Sequence, residues 1–311
     1  MKFHSDGWTL TGMMVAVTVC SLLVLLATQT FLFNQVSTRQ TIQMAQLQQT
    51  GQFVLGLFQH ELRNANFFAG VMQLPLMPSN FVMASDCRSH VDSGSFPLSQ
   101  QPFQQLQTGM VGGSNQPRCL TNAIHQSGFI QLKRLAGEMV THNSLRANRA
   151  YLEIHQGQTR FVVNNSADLS ADAQYWPFIH QIFYLAQQRQ AGRLVPVLMR
   201  KRLIRQQAGG LTMDTESVIE GVEAMVFELG SDTDGDHVAD TFIDSKVVPL
   251  PQILAQASRV NQIRFHILVR SVEPDPTYTN NQQYQLGPSR FDAPGDHYRR
   301  LLISSAVALL N

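Results

Sequence analysis

Four aspartates stand in nine residues of the run Asp232-Thr233-Asp234-Gly235-Asp236-His237-Val238-Ala239-Asp240. Carboxylates at every second position place several oxygens around one point when the backbone turns tightly. That donor set suits the hard Ca2+ ion, which takes six to eight oxygens. Asp232, Asp234, Asp236 and Asp240 are the expected side-chain ligands, and the carbonyl of Val238 is a fifth. His237 stands where such loops usually place a turn-forming glycine. Ile243 occupies the position where an EF-hand has its bidentate glutamate, so Asp244 or water has to complete the shell. A strand, Val222 to Leu229, precedes the run, which excludes an EF-hand with its flanking helices. A solvated acidic turn is the alternative.

Cys87 and Cys119 flank much of a stretch rich in Pro, Gly, Ser and Gln that extends from Val71 to Gln131 and reads as long loops. In an oxidising compartment the two would pair as a disulfide, worth roughly 3 to 4 kcal/mol of chain entropy for a loop of this size. A metal or redox role lacks the C-x-x-C spacing. Cys20 falls in an apolar run and reads as a small packing residue. The ten histidines form no H-E-x-x-H, no G-x-S-x-G is present, and no glycine-rich phosphate loop occurs. His60-Glu61 reads as the polar face of a helix. The chain is therefore expected not to be an enzyme. With 14% charged residues and a formal net charge of +1, it offers no basic surface for nucleic acid.

The elements that must carry these residues begin with a stretch from Gly12 to Phe33 that holds no charge. As a helix it would extend about 33 Å, enough for a bilayer core. It lacks the short apolar core and small-residue cleavage site of a secretory signal, so it is expected to be retained as a single span. No Gly or Pro follows until Gly51, and Met44, Leu47, Val54, Leu57, Phe58 and Leu62 recur at threes and fours. One helix should run to about Asn64, apolar all round at first and striped later. Beyond Arg149, Tyr151, Ile154 and Phe161 to Val163 suggest short strands, as do Phe178 to Leu185 and Leu194 to Arg205. Arg200, Lys201, Arg202 and Arg205 read as a solvated strand edge. Ile263, Phe265, Ile267 and Val269 share one face, with Arg264, His266 and Arg270 on the other, and Leu301 to Leu309 alternates again. One antiparallel sheet packed on the helix is expected, an α+β fold.

The stretch Gly7-Trp8-Thr9-Leu10-Thr11-Gly12-Met13-Met14-Val15 resembles the type III signal of prepilins. Gln46 to Phe53 and Glu61 to Phe68 resemble the stalk-to-head region of PilW-type minor pilins. The acidic loop after Val222 to Phe227, the strand near Arg264 and the end from Arg299 to Leu309 resemble the same family. The resemblance implies a pilin-like fold: a leader of residues 1–7, a transmembrane and filament-core helix over 8–35, an amphipathic helix over 36–66 that packs on the head, and a periplasmic globular head over 67–311. It implies cleavage by prepilin peptidase between Gly7 and Trp8, methylation of the new terminus, and insertion in the inner membrane before export to the pilus and cell surface. The implied partners are major and minor pilins, the inner-membrane assembly machinery and a tip adhesin. Pilins usually carry Glu as the fifth mature residue, and here that residue is Gly12. Two readings follow: a place at or near the tip, where the usual neighbour is absent, or a degenerate signal. The function expected is that of a minor pilin in type IV pilus assembly. The alternatives are a type II secretion pseudopilin and a membrane-tethered, calcium-dependent adhesin or binding protein.

Overall fold

The computed structural model describes residues 9–65, 67–68, 76–79, 83, 85–147, 149–163, 169–206, 210–236, 238–244 and 260–309. Gly7, Trp8 and His237 lie outside them. A helix, α1 (Leu10–Arg63), opens the chain. It ends within a residue of where the periodicity placed it: no proline interrupts the run, and Gly12, Gly51 and Gly56 are accommodated within it. Among the described residues thirteen strands follow: β1 (Leu106–Met110), β2 (Gly128–Leu135), β3 (Ala150–His155), β4 (Gln158–Val163), β5 (Gln174–Gln190), β6 (Arg193–Arg205), β7 (Leu211–Glu220), β8 (Val222–Ser231), β9 (Thr241–Asp244), β10 (Val260–Arg270), β11 (Gln283–Leu286), β12 (Ser289–Asp292) and β13 (Arg300–Ala308). The fold class is α+β.

The chain divides into two compact units, Met1–Gln46 and Leu47–Asn311. In the first, the large apolar side chains are exposed on every side of the helix, from Leu10 at 79% to Phe33 at 75%. Its hydroxyls satisfy themselves locally. Thr18 donates to the carbonyl of Val15, Ser21 to that of Thr18, Thr28 to that of Val24 and Thr30 to that of Leu26, at 2.8, 2.8, 2.8 and 2.9 Å. Side chains that need no water for their polar groups are suited to an apolar medium. The helix is long and apolar enough to cross a membrane.

In the second unit, Leu47, Val54, Phe58, Leu62 and Ala65 are buried at heptad-like spacing. Phe58 packs edge-on against Phe183 and Phe227, with ring centroids 5.3 and 5.6 Å apart. Gly51 lets β13 approach the helix closely: a Cβ there would stand 2.4 Å from Ile303 Cδ1, so that side chain would have to shift. The strands form two sheets where the alternation led to one. A seven-stranded antiparallel sheet runs β1-β2-β5-β3-β4, with β6 and β7 added beside the second half of β5. A four-stranded sheet runs β13-β10-β8-β9, and β11 with β12 makes a hairpin. The chain passes from the larger sheet to the smaller between β7 and β8, at Gly221 with φ +84°; within the larger sheet β5 joins two lobes, pairing with β3 over Gln174–Pro177 and with β6 from Gln181 onward. Where the sheets meet, a Cβ on Gly128 would stand 2.4 Å from the carbonyl oxygen of Met225.

β2 is buried on both faces along its whole length. Ile130 and Leu132 join the helix-side core, while Phe129 and Leu135 join a second core that includes Cys87, Phe96, Phe161 and Phe178. The basic residues of β6 are not on an edge. β6 lies between β5 and β7, with Arg200 opposite Glu216 and Arg202 opposite Asp214. Cross-strand charge pairing, not edge protection, explains those cations.

Candidate functional site

The acidic run is the turn of a β-hairpin. β8 ends at Ser231 and β9 begins at Thr241, these two residues are paired, and the Asp240 amide donates to the Ser231 carbonyl at 3.0 Å. Within the turn each carboxylate is oriented by a nearby backbone amide. Asp232 Oδ1 accepts from Gly235 N at 2.6 Å and Asp234 Oδ1 from Asp236 N at 3.2 Å. Asp236 Oδ1 accepts from Val238 N at 2.7 Å. Asp240 Oδ2 accepts from both the amide and the hydroxyl of Thr233, at 2.7 and 2.6 Å. These two bonds hold the Asp240 carboxyl below the usual carboxylate range. Gly235, at φ +87°, supplies the left-handed step that folds the turn back.

Asp232, Asp234 and Asp240 bring one carboxylate oxygen each to within 4.8 Å of one another. Asp232 is buried, whereas Asp234 and Asp240 are exposed. Asp236 lies outside that group and caps the Val238 amide. The donor set is all oxygen, which fits a hard divalent cation in preference to a softer metal that selects nitrogen or sulfur.

The loop-rich segment that precedes β2 is tied down by a disulfide and by a buried ion pair. Cys87 and Cys119 form the disulfide. The ion pair is that of fully buried Asp92 and Lys133, in which Nζ lies 2.6 and 2.7 Å from the two carboxylate oxygens. Asp92 also accepts from Gln131 Nε2, the Gln104 amide and the Gly94 amide, at 2.7, 2.8 and 3.2 Å. Burial pushes the Lys133 ammonium pKa down, against the attraction of Asp92. Glu61, read in the sequence as part of a polar face, is buried and accepts from Arg134 at 2.9 Å and from Gln181. Nothing local marks these partners, because they lie tens of residues apart.

Residues 182–311 match the family described as PilW, Type IV Pilus-assembly protein W. This carboxyl-terminal part of the chain is PilW-like. Comparison with curated proteins and with solved structures gave no match. The PilW-like region starts within β5 and includes β6 to β13, so it contains the acidic turn and both strands whose alternation was clearest in the sequence. The family carries with it a role in type IV pilus assembly and contact with other pilus components. The helix and the disulfide-bonded segment precede the matched residues.

Proposed function

We propose that this PilW-like chain is a minor pilin, cleaved between Gly7 and Trp8, that works in the tip or initiation complex of a type IV pilus by packing against other pilins. The observation that carries the reading is the helix stretch from Leu10 to Phe33, apolar on every side and exposed. Such a surface is stable only in lipid or among similar helices. A head folded on the other end of the same helix leaves that stretch available for both. Gly12 supports a tip position, since a subunit without a carboxylate there cannot neutralise a neighbour's terminal ammonium inside an apolar filament core. The acidic turn is proposed to hold Ca2+ through Asp232, Asp234 and Asp240.

The reading is tested by mass spectrometry of the amino terminus from sheared pili. A mature chain beginning at Trp8 is expected, cross-linked to other pilins, and Gly7→Ala should leave the full-length chain in the inner membrane. An intact Met1 in assembled fibres, or normal piliation in a strain that lacks the chain, would overturn it.

A further inference from the structure

Three side chains from three strands meet on the face of the four-stranded sheet opposite the helix. His266 of β10 is paired with Ser304 of β13, and its Nδ1 lies 2.7 Å from Ser304 Oγ. On the other side of the ring, Nε2 lies 2.9 Å from Glu228 Oε2 of β8. A carboxylate oxygen only accepts, so Nε2 carries the proton. Nδ1 of the neutral ring is then bare and accepts from the Ser304 hydroxyl. Glu228 and His266 are buried, whereas Ser304 is exposed. Arg264 sits opposite Glu228, 3.9 Å from Oε2, with its guanidinium stacked 3.6 Å over the Phe242 ring.

The hairpin of β11 and β12 covers the histidine–glutamate link. Gly287 at its turn has φ +57°, and a Cβ there would stand 2.8 Å from both Glu228 Oε2 and His266 Nε2. The hairpin thus fixes the ring and crowds water from the Nε2 side, while the serine side stays open. Nucleophile, base and an acid that orients the base, each within hydrogen-bond reach of the next, is the arrangement that activates a serine.

We propose that Ser304 is a nucleophile that becomes acylated by an activated carboxylic ester, with His266 as its general base and Glu228 positioning the imidazole. Ser304 Oγ attacks the ester carbonyl carbon as its proton passes to His266 Nδ1. The bond from that carbon to the leaving oxygen then breaks, and the departing alcohol or phenol takes the proton from His266. The net change is transfer of one acyl group from the ester to the serine, with no oxidant or reductant. This activity is additional to the assembly role and stands whether or not that role does.

The test treats the purified full-length chain, in detergent, with p-nitrophenyl acetate and locates acetyl groups by peptide mass spectrometry. Acetylation of Ser304 should far outpace that of the exposed Ser99, and should fall to the Ser99 rate when the chain is unfolded in urea. His266→Gln should slow it roughly a hundredfold or more, and Glu228→Gln should slow it less. Ser304 reacting no faster than Ser99 in the folded chain would overturn the proposal, as would an unchanged rate in His266→Gln. Should His266→Gln misfold, the folded and unfolded rates of the unmodified sequence decide alone.

Discussion

Cutting the Asp92–Lys133 pair from its two ends should cost different amounts of stability, because the two charges are unequally supported. Both side chains are fully shielded from solvent. In Asp92→Ala the ammonium keeps the Phe103 ring, 4.3 Å from Nζ, and the attraction of Asp86, but loses its hydrogen-bonded carboxylate. Stranding one member of a buried pair costs about 3–5 kcal/mol. In Lys133→Met the carboxylate retains its three N–H donors from Gln131, Gln104 and Gly94. The loss should be smaller by about 1–2 kcal/mol, the scale of one charge-assisted hydrogen bond. The double variant Asp92→Leu with Lys133→Met removes both charges and should be more stable than Asp92→Ala alone. The sign of the pH dependence follows from the lowered Lys133 pKa. Between that value and 10.5 the unfolded chain binds a proton that the folded chain does not, so stability rises with pH across the window. Removing Asp92 should extend the window downward. Urea unfolding of the full-length chain in detergent, with the disulfide intact, measures all three variants. A Lys133→Met loss equal to or larger than that of Asp92→Ala would refute the reasoning.

Replacing Cys87 and Cys119 by serine should cost roughly 3–4 kcal/mol, given their separation of 32 residues; a reduced chain as stable as the oxidised one would contradict this. Chelation should lower the melting temperature of the chain, and Asp232→Ala with Asp240→Ala should abolish the response; a melting temperature indifferent to Ca2+ would remove the ion from the turn. His180 is fully buried with Nδ1 2.8 Å from Ser95 Oγ, and burial, followed by the Lys133 charge, holds its pKa well below 6.5. Below pH 6.5 the unfolded chain therefore takes up a proton that the folded chain refuses, and stability should fall as pH drops, by up to about 1.4 kcal/mol per pH unit. His180→Asn should flatten that slope, and an unaltered pH profile would assign it elsewhere.

What the sequence shows plainly is what depends on neighbours along the chain. The helix to Arg63, the alternation in β10 and β13, the bracketing cysteines and the acidic turn all follow from local spacing. What it conceals depends on register. Glu61 looks like an exposed helix residue until β2 and β5 place Arg134 and Gln181 against it. The cations of β6 looked solvent-facing because Leu211–Glu220, which pairs with them, has no clean alternation of its own. β5 conceals the split between lobes of the large sheet, since a strand buried on both faces carries no period to read. In the acidic turn the spacing was legible; closure of the turn brings Asp232, Asp234 and Asp240 together and leaves Asp236, also expected as a ligand, outside that group. Ser304, His266 and Glu228 form no motif along the chain, and only strand pairing brings them together.

Adjacent residues of β2 grip opposite neighbours: Arg134 binds Glu61 of the helix and Lys133 binds Asp92 of the cystine-closed segment. A pull delivered through the helix therefore reaches a central strand of the large sheet through side chains, by way of Glu61 with Arg134 and Gln181, as well as through the backbone that runs on from Arg63. The segment around the cystine follows the helix directly in the chain, and Asp92 ties that segment to the same strand, so the two routes converge on β2. Under traction β2 is where both loads meet, and the cystine shortens the backbone route to it by closing the stretch between Cys87 and Cys119.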